Sequence, residues 1–226
     1  MSDSSFNPVS GPSRHSHASC GRVLAALLML SCLIQNPAAD AHERGVQLAP
    51  AANLRQAMRK LWEDHVTWTR LLIVSTAADL PDREATAQRL LQNQQDIGDA
   101  VKGFYGDAAG AKLTELLRAH ILGAGEVLAS ARSGDAGRLA AAKKAWYQNA
   151  DDISAFLSTA NPHAWPMAEM QPMMREHLDL TLAEAVDQLQ GRYAQSVADY
   201  DRVHDAILSM ADMLTDGIVA QFPKKF

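Results

Sequence analysis

The chain has 226 residues, 47% of them apolar, with 21 basic against 26 acidic side chains and a net charge of −5. This mixed balance has no basic tract, so nucleic acid is not expected as a partner, because phosphate binding needs a concentrated positive surface. Both cysteines, Cys20 and Cys32, fall in the N-terminal segment, so neither disulfides nor thiolate chemistry are expected in the folded part.

That first segment reads as a targeting signal. Residues 1–22 are polar and include Arg14 and Arg22; Val23 to Ile34 form a twelve-residue apolar run, and Ala39-Asp40-Ala41 offers a small-residue cleavage site. The order is that of a secretory signal peptide, and the run is short for a bilayer span. The expectation is a signal peptide over 1–41, a linker over 42–50 and one helical-bundle domain over 51–226, exported to the periplasm or the extracellular space. No stable membrane insertion is expected after cleavage. An uncleaved anchor or a lipid on Cys32 is the lesser alternative, since Leu30 fits poorly before that cysteine. A domain of this length can bury a sufficient core by itself.

From residue 51 on, the apolar spacing is helical. Leu54, Met58, Leu61, His65, Trp68 and Leu72 recur at three- and four-residue steps and mark one face of a first helix. Leu80-Pro81-Asp82 separates it from a second, whose inner face is Leu90, Asn93, Ile97, Val101 and Phe104. Tyr105-Gly106-Asp107 is the next break, with glycine suited to the helix end and aspartate to the following N-cap. A third helix carries Leu113, Leu117, His120, Ala124 and Val127 and ends at Ser133-Gly134-Asp135 by the same device. The fourth reads Leu139, Ala142, Trp146, Asn149, Ile153 and Phe156, and Asn161-Pro162 stops it. The fifth carries Met174, Leu178, Thr181, Ala185 and Leu189; it starts near Pro166 with Pro172 inside it, or only near Pro172. Past Gly191, a sixth helix presents Val197, Tyr200, His204, Ile207, Ala211, Leu214 and Ile218. With no alternating β pattern, the fold class is all-α, an up-and-down bundle of about six helices built as three helical hairpins.

Six apolar stripes each hold one polar residue: His65, Asn93, His120, Asn149, His177 and His204, at steps of 27 to 29 residues. Asn93, His120, Asn149, His177 and His204 each stand 13 to 15 residues from a glycine turn at Gly106, Gly134 or Gly191, so at about 1.5 Å rise per residue neighbouring helices bring these groups to one height. A shared polar layer across the middle of the bundle is therefore expected. Asn93-x-x-Asp96-Ile97 and Asn149-x-x-Asp152-Ile153 repeat with a period near 55 residues, with His204 at the asparagine position of the last pair, as in a triplicated hairpin. Asp96, Asp152, Thr181, Glu184 and Tyr200 are candidate partners within the layer, and Glu63, Thr67, Arg70, Glu176, Asp201 and Asp205 lie near enough to contribute.

Three readings of the layer compete. It can be a hydrogen-bond network that fixes helix register. It can be a metal site, with His65, His120, His177 and His204 as ligands to a transition-metal ion, since histidine is the commonest protein ligand and helices of a bundle can direct several to one point. It can be a catalytic or small-ligand pocket in which a histidine carries protons. Neither Glu-x-x-His nor His-Glu-x-x-His occurs, and no nucleophile, Gly-rich phosphate loop, Gly-x-Ser-x-Gly elbow or Rossmann fingerprint is present. Met167, Met170, Met173 and Met174 are read as core filling before copper ligands.

Several stretches carry a resemblance: Leu61-Trp62-Glu63-Asp64-His65-Val66-Thr67-Trp68-Thr69-Arg70, Asn93-Gln94-Gln95-Asp96-Ile97-Gly98, Phe104-Tyr105-Gly106, His177-Leu178-Asp179-Leu180-Thr181, Tyr200-Asp201-Arg202-Val203-His204 and Gln221-Phe222-Pro223. Through them the region from Leu61 to the C-terminus resembles an uncharacterised family of small bacterial helical proteins. Pro172 departs from its pattern. Labels such as glycosyltransferase or acetylglutamate kinase attach to some relatives, but both activities need a nucleotide-binding α/β architecture that this sequence does not encode. The resemblance implies a helical fold and transfers no mechanism. The functional expectation is an exported binding or accessory protein with a His/Asn/Asp layer and a candidate metal ion. The alternatives are a structural or interaction module and an enzyme with a helical pocket.

Overall fold

The computed structural model describes residues 50–226. The expected signal peptide and its cleavage site lie outside the described residues. Six helices follow in order: α1 (Pro50–Ala77), α2 (Arg83–Tyr105), α3 (Asp107–Ser133), α4 (Ala136–Ala160), α5 (Met167–Leu189) and α6 (Tyr193–Gln221), with a short 3-10 turn at Pro223–Lys225. There is no strand among the described residues. None of their helices is long and apolar enough to cross a membrane.

The punctuation works largely as read. Gly134 takes a left-handed conformation (φ 73°), and Asp135 caps α4 by accepting from the Arg138 amide at 2.9 Å. At the α2–α3 turn the roles differ from the expectation. Gly106 alone forms the connection at φ 86° and stands in the N-cap place, while Asp107 is already the first residue of α3. There its carboxylate favours the positive end of the helix dipole. Pro172 lies inside α5, which starts at Met167 after extended Pro166, so the earlier of the two starts holds.

Each helix packs on its chain neighbours, and α6 packs back on α1, so the three hairpins form a closed ring. Short turns make sequential helices antiparallel, which leaves α1, α3 and α5 parallel to one another. Those three also touch one another lightly across the middle. The main core runs through the ring and includes Met58, Trp62, Ile97, Leu117, Ile153 and Met210. Met170 and Met174 belong to it, which assigns them to packing.

The inner face of α6 is turned from the expected one at its start. Ser196, Asp199 and Val203 are buried, whereas Val197 is 52% exposed and His204 only half-buried. One residue along a helix is about 100° of rotation. A stripe of 196, 199, 203, 207, 210 and 214 holds the apolar half of α6 against the core while pulling His204 off it. Ser196 is held inside by Arg70 and Gln188, and Asp199 accepts from Gln195 and Arg202 of its own helix, pairings that apolar spacing does not register.

Candidate functional site

Three imidazoles meet inside the ring. His65, His120 and His177, on the parallel helices α1, α3 and α5, are 3%, 3% and 6% exposed. The His177 ring centre lies 5.9 Å from that of His65 and 6.4 Å from that of His120. Two indoles flank them: Trp62 meets His65 edge-on at 5.7 Å, and Trp146 lies over His120 at 5.4 Å.

The carboxamides come from the alternate helices and repeat one geometry. Asn93 on α2 donates to the Leu61 carbonyl at 3.0 Å, and Asn149 on α4 donates to the Leu116 carbonyl at 3.1 Å. Each acceptor is four residues before the histidine of its helix, one turn down the same face. Asn149 Oδ1 also accepts from His120 Nδ1 at 2.9 Å. Because the amide nitrogen of Asn149 is committed as a donor, this bond sets the tautomer of His120: Nδ1 carries the proton and Nε2 keeps its lone pair. In the first hairpin, Asn93 Oδ1 instead accepts from Gln94 Nε2 at 3.1 Å, and Gln94 also donates to the Leu90 carbonyl at 2.8 Å.

Burial decides the charge state. It lowers His65 to about 3, assisted by the neighbouring His120 and opposed by Gln94. It lowers His120 to about 4 against the favourable bond to Asn149. His177 is pushed well below the ordinary histidine value by burial and by the two imidazoles beside it. All three are neutral at physiological pH, because a charge moved into this medium loses hydration that nothing replaces. His65 Nδ1, His177 Nδ1, Gln94 Oε1 and both indole nitrogens of Trp62 and Trp146 are buried without a hydrogen-bond partner. Gln94 lies beside His65 and favours its protonated form, but the two orphaned atoms do not make a bond of good geometry.

The other expected members lie elsewhere. His204 Nε2 meets Glu63 at 3.2 Å near the surface. The fourth imidazole is therefore outside the layer, displaced by the rotation of α6. Asp96 accepts from Gln92 at 3.0 Å and Asp152 from Gln148 at 3.0 Å, both on outward faces. Three residues on from an inward asparagine is about 60° off the stripe, enough to keep an ionised carboxylate hydrated. Thr181 stands one turn beyond the layer with its hydroxyl on the His177 carbonyl at 2.8 Å. The Tyr200 hydroxyl meets that of Thr67 at 3.2 Å.

Glu184 joins a second polar cluster that binds α1, α5 and α6 together. Arg70 donates to Glu184 Oε1 at 2.9 Å, to Ser196 Oγ at 2.6 Å and to the Ser196 carbonyl at 3.2 Å, over the Tyr200 ring. Ser196 passes the chain on to Gln188 at 3.1 Å. Burial raises the Glu184 carboxyl to about 7 against the pull of Arg70. Gln94, Ser196 and Gln188 escape a reading by stripes because each lies one position aside of an apolar or already noted residue. The pair Asn93-Gln94 is the only local hint of the first.

No group of three or more His, Cys, Asp or Glu among the described residues is arranged to hold a metal ion as it stands. The three inner imidazoles converge, yet their rings stay near 6 Å apart and His120 Nδ1 is engaged by Asn149. Comparison with known proteins finds no matching family model, no matching curated protein and no matching solved structure.

Proposed function

We propose that this protein is an exported helical-bundle binding or accessory protein, and that its ligand is received at the imidazole layer. One arrangement carries the reading: three neutral imidazoles from three parallel helices at one depth, with ring nitrogens of His65 and His177 left without partners. Neutral imidazole is the form that gives its lone pair to a transition metal. A carboxamide on the far nitrogen, as Asn149 gives His120, is the usual outer support of such a ligand. A transition-metal ion is therefore the ligand whose chemistry fits best. With metal–nitrogen bonds of about 2.0–2.1 Å, tetrahedral geometry sets ring centres roughly 5 Å apart, so the rings would draw inward by about 1 Å. Export rests on the N-terminal order of polar, apolar and small residues.

The second reading, a registry device, is favoured by the way Asn93 and Asn149 spend their amides on neighbouring helices. Elemental analysis of untagged protein separates the two. A stoichiometric ion lost in His177→Leu supports binding. No bound ion, together with imidazole ¹⁵N resonances unmoved by zinc, cuprous copper or ferrous iron, would leave the layer as a registry device.

A further inference from the structure

The outward surface of α3 is mostly small or charged, and one residue breaks that pattern. Leu122 is 63% exposed, the most exposed large apolar side chain among the described residues. Beside it a surface groove of ≈ 770 Å³ runs along α2 and α3, with Leu91, Ile121 and Leu128 on its walls and Gly125 and Ala129 on its α3 side. A Cβ on Gly125 would meet nothing within 4 Å, so packing within the chain does not require a glycine there. Glycine weakens a helix interior against alanine, and this one leaves an open notch one turn from the exposed leucine.

This face of α3 is complementary to itself. When two copies of a helix run antiparallel about a two-fold axis, each contact occurs twice. Setting Leu122 of one copy against the Gly125 notch of the other fixes the register. Seven residues, two turns, lead back from Leu122 to Glu115 in one copy and on from Gly125 to Arg132 in the other. Glu115 therefore stands opposite Arg132. In the other direction Ala129 comes opposite Arg118, whose aliphatic stem crosses it. Glu115, Arg118, Leu122, Ala129 and Arg132 are all exposed. Within the chain, Glu115 pairs with Lys112 at 2.9 Å, one turn back. Arg132 meets the Thr76 carbonyl at 2.9 Å and Asp79 at 3.3 Å through Nη1 alone, so both keep capacity for a partner.

We propose that this face docks a second copy of the chain, in an isologous antiparallel dimer where each Leu122 enters the other's groove beside Gly125. Removing two exposed leucines from water against apolar walls drives the association. Two Glu115–Arg132 pairs select the antiparallel arrangement, because a parallel one sets Glu115 against Glu115 and Arg132 against Arg132. The dimer goes beyond the imidazole-layer reading, and the failure of either leaves the other standing.

Sedimentation equilibrium of the full chain, with Cys20→Ser and Cys32→Ser, tests the pairing. A dimer with a dissociation constant on the order of 10 μM is expected. Leu122→Glu weakens it by about tenfold or more, at a position the fold leaves in solvent. Glu115→Arg and Arg132→Glu each weaken it by about tenfold, since every facing pair becomes like-charged. An equimolar mixture of those two variants restores the dimer, because every facing pair is then opposite in sign. Glu115→Cys with Arg132→Cys in one chain gives a covalent dimer on mild oxidation. The two positions lie about 25 Å apart along one helix, too far to be bridged within a copy. A chain that stays monomeric up to about 1 mM would overturn the proposal and leave the groove to an unlike partner or an apolar ligand. It is equally overturned by a dimer indifferent to Leu122→Glu, or by folded charge variants that do not pair when mixed. Should Arg132→Glu fail to fold, the oxidised double-cysteine chain decides, and its remaining monomeric would refute the register.

Discussion

The buried imidazoles make this protein acid-sensitive. For each, the folded value lies below the unfolded value of about 6.5. Their stabilising contribution is complete above that pH and is lost as pH falls toward the folded values of about 3 for His65 and about 4 for His120. Glu184 acts in the opposite sense. Its folded value of about 7 exceeds the unfolded one, so its contribution is present at low pH and lost as pH rises through 7. Three histidines outweigh one glutamate, and urea denaturation is expected to show stability falling from pH 7 to pH 5, with each histidine contributing roughly 2 kcal/mol of that loss over the two units, most of it below pH 6.5. His177→Leu removes one of the three, so its stability relative to the parent rises between pH 8 and pH 5; a parallel offset at both would refute the assignment. Asn149→Ala orphans His120 Nδ1 and takes a second donor from the Leu116 carbonyl, which keeps its helical bond. It is expected to cost about 1–3 kcal/mol for the ring nitrogen left unpaired, read as a lower urea midpoint.

Between elements, close approach and buried charge set the tolerances. α2 and α3 meet through Gly98 and Gly110. A Cβ on Gly98 would stand 1.9 Å from Thr114 Oγ1 and 2.7 Å from the Gly110 carbonyl, whereas one on Gly103 meets nothing within 4 Å. Gly98→Ala must push the helices apart and is expected to lower the melting temperature. Gly103→Ala, in the same helix, is expected to raise stability by about 0.5–1 kcal/mol through helix propensity alone. The Arg70–Glu184 pair has a different logic. Arg70→Ala leaves Glu184 buried beside no cation and is expected to cost about 3–5 kcal/mol near neutral pH. The double change Arg70→Met with Glu184→Leu costs much less than the sum of the two single changes, because most of the penalty is an unpaired charge rather than a lost attraction. Chemical denaturation of the four proteins of that cycle measures the coupling.

At the scale of the molecule, ring closure is the governing feature. Arg55 of α1 pairs with Asp212 at 3.1 Å and also with Asp216, and Arg59 meets Asp212 at 3.0 Å, all on α6. These exposed pairs contribute little individually, but they place the beginning of α1 beside the end of α6. A circular permutant joining these ends and reopened at the Gly134 turn is therefore expected to keep its helicity and to melt in one transition. Circular dichroism and tryptophan fluorescence should give coincident curves for it and for the parent. Separate transitions would show that the hairpins are independent units.

Six helices, their turns, the mid-helix height of the polar residues and the hairpin period are all legible in the sequence. Apolar spacing at 3.6 residues, with glycine and proline between, specifies them locally. Height along a helix is a matter of counting residues, so the convergence of His65, His120 and His177 follows from the chain. Rotation about the helix axis is not fixed that way where polar residues find partners inside. Ser196 is buried on α6 where Arg70 of α1 and Gln188 of α5 satisfy it, and that rotation of the helix leaves His204 turned outward to Glu63. Asp96 and Asp152 stay at the surface because an ionised carboxylate keeps its water unless a cation replaces it. The orphaned nitrogens and the small apolar void between α1, α3 and α5 arise only when six helices close a ring. They are defined by groups distant in sequence that fail to fill or satisfy one another, and a linear pattern carries no record of what is left unfilled.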